Sequence, residues 1–497
     1  MRLFRQQICI LLTERRGCAF IQASVPGNAC NGWSFDLGCR LSGSRIFSAG
    51  LGIFRICSSD PQKLSPSPDA LQRIIMSSRP KNTPAWICSQ IGAREHFAIP
   101  RALHQSGQLV TLYTDFWAGP MVSKFSIGKL RPLAARWHPE LAGREKMEDG
   151  RRKMEMRSWN LRALAWELRL RRHRSETGNP YQGFIEVGRW FATRVREDMK
   201  RRPDFGAGSI FFAYDTGALE SLAWCREQKI KTILNQMDPN RAEVELVRAE
   251  ENIWPGWTTR SLQVPEEYFA RREQEWALAD RIVVNSEFSR QALFQQGVPS
   301  EKLTVIPLCF EAGEATRTSR TANRKSSAPV RVLFLGQVIL RKGIQYLLAA
   351  ARQLERENIH FDIVGPVGIS REAIATAPGN VTFHGRISRD QAAAWYRQAD
   401  VFVLPTLSDG FALTQLEAMA HGLPVITTPC CGDVVSDGSD GFIVPARDVG
   451  ALVRAFQRYI AQPALLSSQS ASALVKAGQF TLDRLATNLT RLEAHLK

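Results

Sequence analysis

The sequence has no apolar run that approaches the roughly 18–20 residues needed to span a bilayer. Its ten cysteines show neither the short paired spacing of a zinc site nor a regular disulfide framework. Acidic residues are in the minority, with 48 Asp and Glu against 65 Lys and Arg, so the formal charge is +17. These features argue against a membrane-spanning protein and a disulfide scaffold, and they indicate a protein of the reducing cytoplasm. The positive charge suits anionic partners, among them phosphorylated substrates and acidic lipid surfaces.

The first 80 residues differ in composition from the rest of the chain. They hold five of the ten cysteines, many Gly and Ser residues, and little hydrophobic periodicity. We therefore expect residues 1–80 to be a disordered extension, and we expect the working protein to begin at Met76.

An α/β rhythm begins at about residue 84, where "PAWICSQ" is typical of a buried strand. Apolar strands then alternate with helices, which predicts parallel sheets covered on both faces. The pattern is interrupted at 311–329 by "EAGEATRTSRTANRKSSAP", a polar linker. We predict two Rossmann-like domains, 81–310 and 330–479, that face a ligand-binding cleft, followed by a terminal helix at 480–497.

A basic helical insertion is predicted within the first domain, at 120–202. Residues 124–202 contain 21 Lys and Arg but only 10 Asp and Glu, a net charge of +11. The stretch "SWNLRALAWELRLRRHR" interleaves Trp and Leu with Arg, a pattern that suits an anionic membrane face. The alternative is a helix whose apolar stripe packs on the domain core.

Two segments of the second domain carry residues suited to binding an anion. "VLFLGQVILRKGIQYLL" ends a strand and starts a helix near Lys342, and Gly336 lets the backbone approach a ligand. A lysine near a helix start is explained if a diphosphate lies between the two.

The second segment, "LPTLSDGFALTQLEAMAHGLPVITT", places a second helix N-terminus after Gly410. The N–H groups from Phe411 through Ala412 and Leu413 to residue 414 are predicted to face the cleft. Glu417 lies one turn further, among apolar residues, where an unpaired charge is costly. We predict that its carboxylate accepts hydrogen bonds from the vicinal hydroxyls of a ribose.

These motifs, together with "VTFHGRI" and "YRQADVFVLPTLSDGFALTQLEAMAHGLPVITT", resemble the retaining GT-B glycosyltransferases of the glycosyltransferase group 1 family. The resemblance covers roughly residues 84–490 and implies a GT-B fold with the nucleotide sugar on the C-terminal domain. The family's Glu-x7-Glu motif is similar to Asp409 and Glu417, with the first acid shortened. It implies that Glu417 binds the ribose and that Asp409 lies near the donor sugar.

In the family, an arginine and a lysine bind the phosphates, and the resemblance places these two positions at Gln337 and Lys342. Gln337 departs from that pattern, and Arg341 is the candidate to compensate. A histidine near the donor sugar is implied as well, with His96 and His138 as candidates.

Three further features complete the sequence-based assignment. Gly92 matches a glycine-rich loop of the family. Asp215 ends a strand, either at the cleft or as part of a helix cap. With no Asp-x-Asp at a matching strand end, we expect metal-independent transfer without a cofactor.

The resulting hypothesis is a hexosyltransferase that uses a nucleotide-diphosphate sugar as co-substrate. It acts with retention on a glycan or lipid-linked acceptor, in the cytoplasm or at the inner membrane face. The alternative is a non-catalytic nucleotide-sugar-binding protein with a degenerate site, favoured by Asp409 and Gln337. Nucleic-acid binding is not expected, because no recognised motif accompanies the charge.

Overall fold

The computed structural model describes residues 84–119, 136–141, 154–176, 179–202, 205–206, 208–258, 261, 263–311 and 328–496, together with strand segments between residues 9 and 59. The chain divides into two compact units, Met1–Thr83 and Pro84–Lys497. In the first unit, β1 (Cys9–Arg15), β2 (Cys18–Ser24) and β3 (Ser34–Leu37) form an antiparallel sheet. β4 (Gly43–Ala49) pairs antiparallel with β5 (Gly52–Ser59). The other residues of the predicted extension lie outside the described part, and its disorder stays a prediction.

The second unit contains two parallel-sheet α/β domains, as predicted. The sheet of the first domain has the order β12-β11-β10-β9-β6-β7-β8, and all its pairs are parallel. Its strands are β6 (Ala85–Gln90), β7 (Leu109–Thr114), β8 (Glu155–Ser158), β9 (Ser209–Tyr214), β10 (Lys231–Asn235), β11 (Arg281–Val284) and β12 (Leu303–Val305). Its helices are α1 (Ala98–Gln105), α2 (Asn160–Glu176), α3 (Tyr181–Lys200), α4 (Leu219–Glu227), α5 (Arg241–Ile253), α6 (Glu266–Leu278) and α7 (Glu287–Gln295).

The sheet of the second domain is also parallel and has the order β15-β14-β13-β16-β17-β18. Its strands are β13 (Val330–Leu335), β14 (Ile359–Val364), β15 (Val381–Gly385), β16 (Val401–Leu404), β17 (Val425–Thr427) and β18 (Gly441–Ile443). The helices are α8 (Ile344–Gln353), α9 (Arg371–Ala375), α10 (Arg389–Gln398), α11 (Leu413–Ala420), α12 (Val449–Ala461), α13 (Pro463–Ala477) and α14 (Leu482–Ala494). Central strands such as β16, "VFVL", are buried throughout because helices cover both faces of the sheet.

The final helix, α14, lies on the first domain. Its leucines join the apolar cluster on one face of the first sheet, beside Trp86 and Cys88. Glu493 at its end accepts hydrogen bonds from Trp86 Nε1 (3.3 Å) and Gln108 Nε2 (2.7 Å). The chain therefore returns to its first domain after completing the second, which ties the two domains together.

Helix α2 of the basic insertion packs its inner side on the domain. Ala163 is buried, and Trp159 stacks on Tyr113 with ring centroids 6.1 Å apart. Its outer side carries Leu161 and Leu168, whose surfaces are 88% and 60% exposed. The inner side therefore packs on the domain, and contact of the outer side with a membrane stays a prediction. None of the helices that the structure describes has the length and apolar character needed to cross a bilayer.

Candidate active site

The loop after β13 lies open at the carboxyl edge of the second sheet. A Cβ placed on Gly336 meets no atom within 4 Å, and Gln337 is exposed. In the neighbouring loop, Gly365 has φ +139°, and a Cβ there would lie 1.8 Å from Gly336 O. Glycine at 365 lets the two loops touch, so the backbone at Gly336 and Gln337 stays accessible to a ligand.

A second close approach brings Lys342 to the loop that follows β16. Gly343 has φ +75°, and a Cβ on it would lie 1.9 Å from Pro405 O, so no other residue fits. Lys342 Nζ donates to Asp409 Oδ2 across this contact. The two side chains are only 13% and 17% exposed. Two of the predicted site residues are therefore joined as a largely buried ion pair.

Arg341 makes its contacts within the protein and is therefore not free to compensate for Gln337. Its Nη1 donates to Ser408 O (2.8 Å) and lies 3.3 Å from Glu243 Oε2 on α5. Burial acts to lower the pKa of Arg341, but Glu243, Asp409 and other nearby carboxylates outweigh it and the pKa is raised. Arg341 thus links α5 of the first domain to the site loop. The Ser408 hydroxyl donates to the same Glu243 carboxylate.

The helix N-terminus predicted after Gly410 is present. Helix α11 begins at Leu413, and Ala412 before it has φ +59° with no side-chain cap, so no side chain of the cap residue occupies the first N–H groups. Phe411 is buried with its ring 6.1 Å from that of Phe480, and its backbone oxygen accepts hydrogen bonds from Gln415 Nε2 and Gly432 N. A Cβ on Gly410 would lie 2.2 Å from Met237 O. Gly410 is therefore a point of close contact between the two domains.

Glu417 has a hydrogen-bond donor from the protein, contrary to the expectation that only a ligand supplies one. The Tyr396 hydroxyl donates to Oε2 over 2.9 Å. Oε1 has no donor within hydrogen-bond distance among the described residues, and Arg389 Nη2 lies 3.8 Å from it. One oxygen of the carboxylate is held by the tyrosine hydroxyl, and the other makes a longer ion-pair contact with Arg389. The sequence pattern missed Tyr396 because it stands 21 positions earlier, on another helix.

His96 faces this group from the first domain. Its imidazole contacts the guanidinium of Arg389, so the predicted residues His96 and Glu417 are bridged by one arginine. Burial, followed by the positive charges of Arg389 and His138, lowers the pKa of His96 to about 4. His96 is therefore neutral at physiological pH, when a ring nitrogen can accept a hydrogen bond.

The segment around His96 is a left-handed turn that precedes a helix. Glu95, His96 and Phe97 have φ values of +51°, +54° and +61°, and helix α1 begins at Ala98. Residues other than glycine rarely adopt this left-handed conformation, and a run of three is held by its surroundings at a cost. The strained turn is what directs the histidine across the gap.

The remaining candidates of the first domain have clear structural positions. His138 lies close enough to His96 to affect its pKa. Gly92 N donates to Asp115 Oδ1 (2.8 Å), and its Cα faces open space. Asp215 neither caps the next helix nor lies free at the cleft: it is buried in an ion pair with Arg272. Among the described residues no group of three side chains is arranged to hold a metal ion.

Comparison with known proteins finds relatives of the second domain. The family model described as "Glycosyl transferases group 1" matches residues 329–462. The second domain is therefore similar to the group 1 glycosyl transferases. The D-inositol 3-phosphate glycosyltransferase of Geodermatophilus obscurus is 32% identical over 240 residues, which cover 44% of this chain and 53% of that protein. The chain thus spans about half the length of the curated relatives that it matches.

Solved structures extend the likeness to both domains of the second unit. Sucrose-phosphate synthase from Thermosynechococcus elongatus superposes with a TM-score of 0.52 at 19% identity, covering 83% of this chain and 99% of the other. Anabaena HepE, solved with UDP and glucose, gives a TM-score of 0.50 at 12% identity and covers 82% of this chain and 99% of its own. The fold predicted from the group 1 motifs, two facing α/β domains of the GT-B type, is confirmed.

Proposed function

We propose that the protein is a glycosyltransferase that transfers a hexose from a nucleotide-diphosphate sugar to a glycan or lipid-linked acceptor with retention of configuration. The observation that carries the proposal is the convergence of three binding elements at one sheet edge. These are the Lys342 ammonium, the uncapped N-terminus of α11 and Glu417 Oε1, which no described residue hydrogen-bonds. Together they match a ligand with two phosphates and a ribose.

The chemistry follows from where charge develops during transfer. As the bond between the anomeric carbon and the diphosphate breaks, negative charge grows on the departing oxygen. The acceptor oxygen forms the new bond to the anomeric carbon, and its proton passes to the departing diphosphate. Lys342 and the N–H groups of residues 411–414 are placed to stabilise that charge more strongly in the transition state than in the substrate complex. Lys342 would share its contacts between Asp409 and the phosphates, which keeps its side chain in place before the donor binds.

The first domain contributes His96 and the acceptor side. A neutral imidazole within contact of the second domain is suited to hydrogen-bond a hydroxyl of the donor sugar. Asp409 is the second acid at this edge, and we assign it to the sugar as well. Two similar proteins support this chemistry: one is a D-inositol 3-phosphate glycosyltransferase, and the other, HepE, was solved with UDP and glucose.

A non-catalytic nucleotide-sugar binder is the second candidate, and Gln337 favours it. This exposed amide stands where the family has a phosphate-binding arginine, and Arg341 is occupied by Ser408 and Glu243. One fewer cation weakens charge stabilisation in the transition state. Such a protein would bind the donor without turning it over.

The proposal is tested by incubating the protein with labelled UDP-, GDP- and ADP-sugars and measuring both binding and release of the nucleoside diphosphate. Turnover that Glu417→Ala abolishes supports the enzyme. The matched control is Glu357→Ala, which changes an exposed glutamate of the same domain. Binding without hydrolysis or transfer would establish the binder, and no binding of any nucleotide sugar would contradict both.

We also propose an anionic membrane surface as a partner of the first domain, at the cytoplasmic face. The outer side of α2 presents Leu161 and Leu168 beside Arg162, and the sequence continues with further arginines. Leucines insert among acyl chains while the arginines meet lipid phosphates.

Sedimentation with vesicles tests this surface. The protein should bind vesicles containing phosphatidylglycerol and not those of phosphatidylcholine alone. The double variant Leu161→Glu/Leu168→Glu should lose binding, and Val475→Glu, at an exposed apolar site of the other domain, should keep it. Equal binding by all three proteins would contradict the assignment.

A further inference from the structure

The environment of the Glu417 carboxylate contains a group that the sequence motifs do not reveal. Tyr396 lies on α10 with only 1% of its surface exposed, and its hydroxyl donates to Glu417 Oε2 over 2.9 Å. A carboxylate with one oxygen held in this way cannot rotate freely about its last bond. The direction of Oε1, the oxygen open to a ligand, is thereby set from the protein side.

The tyrosine is itself held in place. The imidazole of His421 stacks on its ring, with centroids 5.0 Å apart and planes inclined by 24°. His421 Nδ1 lies 2.8 Å from the backbone oxygen of Glu417, so the stacking partner is anchored to the same helix turn. Burial, followed by the charge of Glu417 and the hydrogen bond to it, raises the pKa of Tyr396 well above its ordinary value. The hydroxyl therefore remains a donor throughout the accessible pH range.

We propose that Tyr396 is a positioning residue for nucleotide recognition, which fixes the Glu417 carboxylate so that Oε1 meets the ribose hydroxyls. This rests on the proposed function, because it presumes that Glu417 binds a ribose. The physical basis is preorganisation: an acceptor that is already oriented loses less freedom when the ligand binds. Arg389 on the same helix borders Oε1 at 3.8 Å, too far for a hydrogen bond.

The test uses a ligand that lacks the recognised group. Binding of UDP, GDP and ADP is measured by calorimetry against their 2′-deoxy forms for the wild type and for Tyr396→Phe. Losing a hydrogen bond to a charged group weakens wild-type binding of the deoxy form by about tenfold or more. In Tyr396→Phe we expect that ratio to fall to about threefold or less, because the unanchored carboxylate discriminates poorly.

A second buried tyrosine of the same domain provides the matched control. Tyr459 is fully buried and its hydroxyl donates to Gln469 Oε1 over 2.5 Å, away from Glu417. Tyr459→Phe therefore removes an equivalent buried hydrogen bond and should lower the melting temperature to a similar extent. The loss of affinity from each nucleotide to its 2′-deoxy form should be the same in Tyr459→Phe as in the wild type. A positioning role of Tyr396 is thereby distinguished from a general loss of stability.

Two outcomes would overturn the inference, and they are distinguishable. If Glu417→Gln removes the preference for ribose while Tyr396→Phe retains it, Tyr396 does not position the carboxylate and the ribose assignment stands. If the wild type shows no preference for ribose and Glu417→Gln changes nothing, the ribose assignment of the proposed function fails, and the role of Tyr396 with it.

Discussion

Lys342 is expected to act in both stability and function, and the two roles can be separated by substitution. In Lys342→Met the ammonium is replaced by an uncharged chain of similar length, which leaves Asp409 without its partner. This substitution should destabilise the fold, because an unpaired carboxylate in a largely buried position is unfavourable.

The magnitude follows from the burial of the pair. Removing one partner of a buried ion pair costs about 3–5 kcal/mol, and partial exposure here argues for about 3 kcal/mol. For a domain of this size that corresponds to a fall of roughly 6–12 °C in melting temperature. Neutralising both members in Lys342→Met/Asp409→Asn should recover most of this loss, since no unpaired charge remains.

Function should not recover with stability. Both the single and the double variant lack the ammonium, and removing one group that stabilises developing charge typically costs about 10²–10³ in turnover. The assays are thermal melts of the three proteins and release of nucleoside diphosphate from the preferred donor. Equal melting temperatures for the single and double variants would refute the ion-pair argument. A double variant with wild-type turnover would refute the assignment of Lys342 to the phosphates.

Three other substitutions test separate parts of the structure. Gly410→Ala places a methyl group against Met237 O, 2.2 Å from the ideal Cβ, and should lower turnover severalfold without lowering nucleotide affinity, measured by calorimetry. Glu250 is buried on α5 and accepts from side chains of the second domain, including Arg447 Nε at 2.6 Å. Glu250→Ala should lower the free energy of unfolding by about 2–4 kcal/mol in urea titrations, and an unchanged midpoint would contradict that role. The pKa of His96 is about 4 in the folded protein, below its ordinary 6.5. The contribution of neutral His96 to stability is therefore fully present above pH 6.5 and is lost as the pH falls toward 4. His96→Gln should flatten this fall, and an identical pH profile would show that the pKa of His96 is not lowered in the folded protein.

The sequence predicts the second domain well because its elements are local patterns. The strand ending at Leu335, the glycine at 343 and the helix N-terminus after Gly410 are each set by a few neighbouring residues. Where two segments approach closely, the sequence has glycine, even though the partner segment is far away along the chain. These glycines are part of the family motifs, which is why the motifs predict the fold.

Contacts between distant segments are not visible in this way. The pairing of Lys342 with Asp409 joins positions 67 apart, and Tyr396 reaches Glu417 from a different helix. Helix α5 was missed altogether, and its charged sequence gives no sign that Glu250 is buried against the second domain. The left-handed turn at His96 contains no glycine, so tertiary packing overrides local preference there.

The most direct test of the central claim is a crystal structure of the protein with the nucleoside diphosphate that calorimetry selects. The account predicts ribose hydroxyls within hydrogen-bond distance of Glu417 Oε1, with the diphosphate between Lys342 and the N-terminus of α11. A nucleotide bound elsewhere, or one whose ribose points away from Glu417, would contradict it.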